Sequence, residues 1–251
     1  PAYYPRALLV NTPSGPGIAA VAAPTNSSKR VVIQQRWQLP NGTDVWQQLG
    51  VVAEDADPTA DLDNGFLFQP IPGASPLFCA YRHHTGTPPA RTYRIQLSRS
   101  ADGGATWALA ATIASGPTGV WEPFLFPLLD DNGDVVSMSV AYAAELTNGG
   151  EQDIVFQSTN DTANGTAWGP ITSRIHTAGS RNGMPGVVML GDGSLLAVFE
   201  GFWTGAWGVF TVNSARSFDG GATWPQRSIV YAPGNATSPL DAGSPQVFVC
   251  R

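Results

Sequence analysis

Two glutamates stand in surroundings that suit acid–base chemistry. Glu122 lies between Trp121 and Pro123, and Glu200 directly follows the apolar residues 195–199. Apolar surroundings disfavour the charged form of a carboxyl group and raise its pKa, which is the property of a general acid. Cleavage of a glycosidic bond needs such an acid and a second carboxylate across the bond. The pair therefore predicts glycoside hydrolysis, and the alternative is that each glutamate only forms an ion pair with an arginine.

A repeat of about sixty residues indicates the elements that would position this pair. Residues 100–107 and 217–224 both fit Ser-x-Asp-x-Gly-x-Thr-Trp, the Asp-box pattern, with a degenerate copy at 158–168 and a weaker one at 41–46. The carboxylate and hydroxyl cap a tight hairpin, glycine supplies positive φ, and tryptophan packs under a neighbouring strand. We therefore predict structural roles for Ser100, Asp102, Gly104, Trp107, Ser217, Asp219, Gly221 and Trp224.

Each repeat also contains four short strands separated by turn residues, and no segment has convincing helical periodicity. In the fourth repeat the strands are predicted at 184–190, 195–199, from 209, and at 227–231. The pattern predicts an all-β, sialidase-type β-propeller that has six blades when complete. The blades fall at about 3–54, 63–115, 120–178 and 181–233, and a fifth begins at 241–251. We expect the remaining C-terminal blades to be missing or to be carried by a separate chain.

Strand alternation brings the starts of the inner strands to the face away from the Asp-boxes. At the repeat spacing, this ring of positions contains Arg6, Asn64, Glu122 and Asn182. Asp63, Arg181, His83, Tyr142 and Trp203 are nearby, and Glu145 and Glu151 are weaker candidates. Because the ring differs from blade to blade, the pattern favours one asymmetric site over the repeated inter-blade sites of a lectin.

Composition excludes several classes of function. The 251 residues carry a formal net charge of −6, which argues against nucleic acid and anionic membranes as partners. No apolar run approaches the roughly 18 residues of a membrane span. Adjacent His83 and His84 point to opposite faces of a strand and form no chelating pair, so no metal or cofactor is expected. We expect a monomer that binds a carbohydrate.

Five glycosylation sequons favour a secreted protein. They begin at Asn26, Asn41, Asn160, Asn164 and Asn235. Two cysteines are too few for a disulfide framework. Cys79 is expected to be a buried thiol, although pairing with Cys250 stays open.

Four segments carry a resemblance to a known family: Tyr-Tyr-Pro-Arg at 3–6, Trp-Glu-Pro-Phe at 121–124, Arg-Asn-Gly-Met-Pro at 181–185 and Gly-Ser-Pro-Gln at 243–246. With the Asp-boxes, they resemble the fungal exo-α-1,5-L-arabinanases of glycoside hydrolase family 93, in the sialidase-like superfamily. The resemblance implies a secreted six-bladed propeller that releases arabinobiose from linear arabinan with retention of configuration.

The resemblance also implies residue roles. Glu122 would be the acid/base and Glu200 the nucleophile, with the reverse order also open. The substrate-binding residues would be Arg6, Asp63, His83, Tyr142, Arg181 and Trp203. A sialidase or another propeller glycosidase is the alternative enzyme, and a non-catalytic carbohydrate-binding propeller is the alternative outside catalysis.

Overall fold

A computed structural model of the chain describes residues 3–12, 15–24, 29–71, 76–146, 151–203, 209–233 and 241–249. Sixteen strands form four antiparallel sheets of four strands each, and the described residues contain no helix. No helix in these ranges therefore meets the length and apolarity that a membrane crossing requires. The predicted all-β fold with four-stranded blades is confirmed. The chain divides into two compact units, residues 1–117 with 160–168, and residues 118–159 with 169–251.

The first unit contains two of the sheets, and in each the strands follow chain order. The first sheet comprises β1 (Tyr3–Thr12), β2 (Gly15–Ala23), β3 (Arg30–Gln38) and β4 (Asp44–Glu54). The second comprises β5 (Asp61–Phe68), β6 (Leu77–His84), β7 (Tyr93–Ser100) and β8 (Ala108–Gly116). Their facing side chains form one apolar core that includes Val21, Ile33, Leu62 and Leu77. Gly65 permits close packing here, because a Cβ on it would lie 2.9 Å from a Val21 methyl group.

The second unit has the same organisation. One sheet comprises β9 (Val120–Leu129), β10 (Val135–Ala144), β11 (Asp153–Thr159) and β12 (Ser173–Ile175). The other comprises β13 (Ser180–Met189), β14 (Leu195–Trp203), β15 (Phe210–Ser217) and β16 (Gln226–Tyr231). The buried Trp224 stacks on Phe156 with ring centroids 4.7 Å apart, so an aromatic pair joins the two sheets.

The two close matches to the Asp-box pattern form the same hydrogen-bonded turn. In the first, Ser100 accepts the Gly104 N–H at 2.8 Å, and Asp102 accepts the backbone N–H and hydroxyl of Thr106 at 2.9 and 2.6 Å. Trp107 donates its indole N–H to the Gly104 carbonyl at 2.9 Å. In the second turn, Ser217, Asp219, Gly221 and Thr223 repeat the contacts of the serine, aspartate, glycine and threonine.

The two weaker copies differ from this pattern. In the copy at 158–168 the acid is Asp161, which accepts the Thr166 hydroxyl at 2.7 Å, and Trp168 donates to the Gly165 carbonyl at 2.9 Å. At 41–46 the carboxylate of Asp44 instead pairs with Arg36 at 2.6 Å, across the β3–β4 hairpin. The same turn position is therefore filled by different interactions in different blades.

The first strand of each sheet is bulged near its start. Register shifts occur between Tyr3 and Arg6, between Asp63 and Phe66, and between Gly183 and Gly186. In β9 the shift falls opposite residues 141–143, between residues 121 and 124. Each bulge leaves one residue unpaired, which re-aims the strand locally.

The bulges correct the predicted ring. Asn64, Glu122 and Met184 hold the equivalent position, with φ of 51°, 52° and 48°. Asn182 therefore lies two residues before this position, and Arg6 aligns with Phe66, one residue past the bulge. The prediction failed at these two residues because it assumed nearly constant spacing, whereas the bulges vary the interval between blades.

Residues 241–249 are not a strand. They were expected to begin a fifth blade, but they have no ladder partner in the part of the chain that the structure describes. They run beside the second unit instead, where Ala242 donates its N–H to the Phe210 carbonyl at 3.1 Å.

The cysteine and sequon predictions meet the structure only in part. Cys79 is a fully buried free thiol, and burial raises its pKa. Asn41, Asn160 and Asn164 are exposed. Asn26, Asn235 and Cys250 lie outside the described residues.

Candidate active site

Glu122 and Glu200 lie on either side of Gly183. Gly183 on β13 is the register partner of Glu200 on β14, and Glu122 approaches from β9. A Cβ placed on Gly183 would be 3.1 Å from Glu122 Oε2 and 3.3 Å from Glu200 Oε1. These oxygens are therefore no more than about 6.4 Å apart, the sum of the two distances. The structure brings together two carboxylates from different sheets of the second unit.

Gly183 is the only residue type that leaves this space open. Asp63 and Trp121 occupy the equivalent bulge position in the preceding two sheets, paired with Arg82 and Ala143. Either side chain at position 183 would fill the gap between the two glutamates. Glycine therefore distinguishes this sheet from the others at the point where the carboxylates meet.

Glu122 is held by the neighbouring sheet. Its Oε2 accepts the backbone N–H of Met184 at 2.9 Å, and its side chain is half-buried. Its own φ of 52° is uncommon for a residue with a Cβ and results from the bulge in β9. Backbone strain of this kind is concentrated at functional sites.

Glu200 ends the apolar stretch of β14 and is also half-buried. Burial raises the pKa of its carboxyl group, and the charge of Asp241 raises the pKa further. The Ser244 N–H, which donates to Oε2 at 2.8 Å, lowers the pKa and opposes these effects. The sequence-based expectation of a raised pKa in apolar surroundings is confirmed for Glu200.

Glu145 and Arg181 form a second polar cluster in the same unit. Glu145 Oε1 accepts Arg181 Nη2 at 3.4 Å and Gln152 Nε2 at 3.2 Å, while Oε2 accepts the Gly119 N–H at 3.2 Å. The Arg181 side chain remains 40% exposed, so a substrate can reach it. Glu151 is separate, since it accepts the Gly179 N–H at 2.8 Å.

The first unit contains two of the predicted substrate-binding residues. Asp63 is fully buried, accepts the Asn64 N–H at 2.7 Å and pairs with Arg82 at 3.3 Å. Burial raises the pKa of Asp63, which Arg82 and the Asn64 N–H partly offset. Arg6 is half-buried and donates to the Pro5 carbonyl at 3.3 Å.

His83 has a different environment from the one predicted. Its Nδ1 is 2.7 Å from Gln96 Oε1, and its Nε2 is 2.7 Å from Asp55 Oδ2. Both ring nitrogens are thus engaged by the protein, which argues against substrate binding through either one. His84 points to the other face of β6, as predicted, and packs edge-on against Tyr93.

Tyr142 belongs to the core rather than to the site. It is 2% exposed, and its hydroxyl donates to Gln157 Oε1 at 2.6 Å. Burial raises its pKa. Tyr81 and Phe199 are buried near the corresponding ends of β6 and β14, which shows that this strand position faces inward. The polar end of Tyr142 is satisfied internally, so the predicted substrate contact is not supported.

The last predicted site residue is Trp203, whose side chain lies outside the described residues. Neither a metal nor a cofactor was expected. In the described ranges, no group of three or more His, Cys, Asp or Glu side chains is arranged to hold a metal ion.

Sequence reasoning missed the backbone donors at Met184 and Ser244 and the space at Gly183. A signal for them exists, because Gly-Met-Pro at 183–185 and Gly-Ser-Pro at 243–245 repeat 60 residues apart. The donors escape notice because a backbone N–H has no residue type of its own.

Comparisons with known proteins bear on the fold. No protein-family model matches the chain, and no curated protein matches it. Among solved structures, the chain is similar to the α-L-arabinanase of Penicillium chrysogenum in complex with arabinobiose, with 22% identity and a TM-score of 0.67. The match covers 94% of this chain and 73% of that one.

Two further structures give the same picture. A GH93 α-L-arabinofuranosidase of Fusarium graminearum with arabinobiose is 21% identical, with a TM-score of 0.59 over 92% of this chain and 65% of that one. An endo-arabinase of Bacteroides thetaiotaomicron is 14% identical, with a TM-score of 0.61 over 92% and 81%. This chain therefore spans about two thirds of the Fusarium enzyme, and it has the β-propeller fold of the arabinanase structures.

Proposed function

We propose that this chain carries the catalytic pair of a secreted, retaining glycoside hydrolase that releases arabinobiose from the ends of α-1,5-linked L-arabinan. The observation that carries the proposal is the approach of Glu122 and Glu200 to one point beside Gly183. Two convergent carboxylates, one with a raised pKa, are the groups that glycoside cleavage requires.

The distance between the carboxylates supports retention. Their facing oxygens are at most about 6.4 Å apart, below the separation of about 6.5 Å at which the inverting range begins. In a retaining reaction one carboxylate attacks the anomeric carbon while the other protonates the departing oxygen. The second residue then removes a proton from water, which hydrolyses the glycosyl–enzyme intermediate.

The pKa of Glu200 bears on the division of roles. A raised pKa suits the residue that donates a proton, so the shift favours Glu200 as acid/base and Glu122 as nucleophile. This is the reverse of the primary sequence-based assignment. Azide rescue distinguishes the two orders, because removal of the acid/base yields a glycosyl azide of retained configuration and removal of the nucleophile one of inverted configuration.

Arabinan is the proposed substrate because two similar structures hold arabinobiose. Arg181 is a candidate for contact with the sugar hydroxyl groups, since its side chain is 40% exposed in the unit that contains both glutamates. Arg6 and Asp63 remain predicted substrate-binding residues of the first unit. Secretion is supported by the exposed sequons at Asn41, Asn160 and Asn164, and release of N-glycans by a glycosidase tests it.

The test is product analysis on linear arabinan, sialyllactose and a panel of aryl glycosides. We expect arabinobiose from arabinan, and a loss of about 10²–10⁴-fold in kcat for Glu122→Gln and Glu200→Gln. The exposed Glu54 supplies the control variant, Glu54→Gln, which should keep full activity. Binding of arabinan without turnover would indicate a lectin, and full activity in either glutamate variant would reject the pair.

A further inference from the structure

We propose that Gly183-Met184 and Gly243-Ser244 are two copies of one positioning element, each of which fixes one of the two glutamates. In each copy, the glycine leaves room for the carboxylate and the next residue, at positive φ, donates its N–H to it. The catalytic consequence rests on the proposed function, whereas the geometric claim does not. These four are positioning residues, because they act through Glu122 and Glu200.

The first copy holds Glu122. The Met184 N–H donates to Glu122 Oε2 at 2.9 Å, and a Cβ on Gly183 would approach the same oxygen to 3.1 Å. Real Cβ atoms seldom come so close to a neighbour, so a side chain at position 183 would displace the carboxylate. Met184 has φ of 48°, and Pro185 follows it.

The second copy holds Glu200. The Ser244 N–H donates to Glu200 Oε2 at 2.8 Å, and a Cβ on Gly243 would overlap that oxygen. Ser244 has φ of 52°, and Pro245 follows it. The second copy reproduces the glycine, the positive φ, the donated N–H and the proline of the first copy, although its segment is not part of a sheet.

Positive φ has the same consequence elsewhere in the described chain. Its four non-glycine residues with positive φ are Asn64, Glu122, Met184 and Ser244. Three of them donate their N–H to a carboxylate, and the contact from Asn64 to Asp63 measures 2.7 Å. An unfavourable backbone conformation that repeats with the same hydrogen bond indicates a selected geometry. We infer that the conformation aims the N–H at the acid.

The first test adds a methyl group between the two glutamates. Gly183→Ala should lower kcat by about 10²-fold with little change in KM, because displacement of reacting groups by about 1 Å has such an effect. Gly191→Ala is the matched control, since a Cβ on Gly191 meets nothing within 4 Å. Unchanged kcat in folded Gly183→Ala would overturn the role of the glycine.

The second test moves the donor without touching the acid. Valine is β-branched and disfavours positive φ, whereas glycine adopts it readily. Ser244→Val should therefore weaken the hydrogen bond and raise the pKa of Glu200 by about one unit, and Ser244→Gly should keep the pKa near that of the parent. Titration of the ¹³C-labelled Glu200 carboxyl group by NMR measures this pKa directly, with Glu200→Gln to assign the signal.

The two proposals can fail separately. If the parent hydrolyses no glycoside but the Glu200 pKa rises in Ser244→Val and not in Ser244→Gly, the proposed function is wrong and the positioning element stands. An equal Glu200 pKa in both Ser244 variants would overturn the positioning element, whatever the activity.

Discussion

Ser244 donates its backbone N–H to Glu200 Oε2 at 2.8 Å, yet the pKa of Glu200 is still raised by burial. The folded protein therefore disfavours the charged carboxylate, and Glu200 opposes folding at a pH above its folded pKa. Below the unfolded pKa the carboxyl group is protonated in both states and this effect disappears. Glutamine is neutral and keeps an oxygen for the Ser244 N–H.

We predict that Glu200→Gln raises the melting temperature by a few degrees at pH 7. The advantage should shrink as the pH falls through the raised folded pKa toward the ordinary value. Thermal unfolding at pH 7 and at pH 4 measures the difference, with Glu54→Gln as the exposed control. A variant less stable than the parent at pH 7 would contradict the assigned environment.

Tyr142 separates a core role from a substrate role. Its buried hydroxyl donates to Gln157 Oε1 at 2.6 Å. Tyr142→Phe removes this hydrogen bond but keeps the ring, so we predict a loss of about 1 kcal/mol in the free energy of unfolding. The values of kcat and KM on arabinan should not change. A large rise in KM with unchanged stability would restore the sequence-based assignment.

The tryptophans of the repeat should differ in importance. Trp224 is 4% exposed and stacks on Phe156, whereas Trp46 is 45% exposed. Trp224→Ala should therefore cost about 3–5 kcal/mol, as for a buried large aromatic side chain. Trp46→Ala should cost well under that amount. Urea unfolding of both variants checks the comparison, and equal losses would show that the repeat alone determines the contribution.

The fold was predictable because its signal is repeated. Residues 100–107 and 217–224 each specify a complete turn through their own side chains, so one copy supports the interpretation of the other. The copy at 158–168 was harder to align, because its acid, Asp161, lies one residue later than the pattern requires. Spacing also failed at Arg6 and Asn182, since the bulges change the repeat length.

The site was predictable only for its charged side chains. Glu122 and Glu200 stand out by residue type, but the backbone N–H groups of Met184 and Ser244 do not. Tyr142 was misplaced because its polar end suggested a ligand contact. Comparison with Tyr81 and Phe199, which occupy similar strand ends, would have indicated a buried position.

Asp102 provides a test of the turn by pH. The hydroxyl and backbone N–H groups of Thr106 donate to its carboxylate and lower the pKa to about 2. Since the folded pKa lies below the unfolded value of about 3.9, the stabilisation is present above that value and is lost as the pH falls toward 2. The side chain is exposed, so solvent screening keeps the contribution small.

We therefore predict that Asp102→Asn lowers the free energy of unfolding by on the order of 1 kcal/mol at pH 7, and by less at pH 3. Asparagine keeps one acceptor oxygen but loses the negative charge and the second oxygen that bind Thr106. Asp131→Asn is the control, because the exposed Asp131 lies in another turn and no shift in stability is expected there. Urea titrations at the two pH values provide the measurement. A loss that is the same at both would show that the charge of Asp102 does not stabilise the turn, and that the hydrogen-bond geometry alone does.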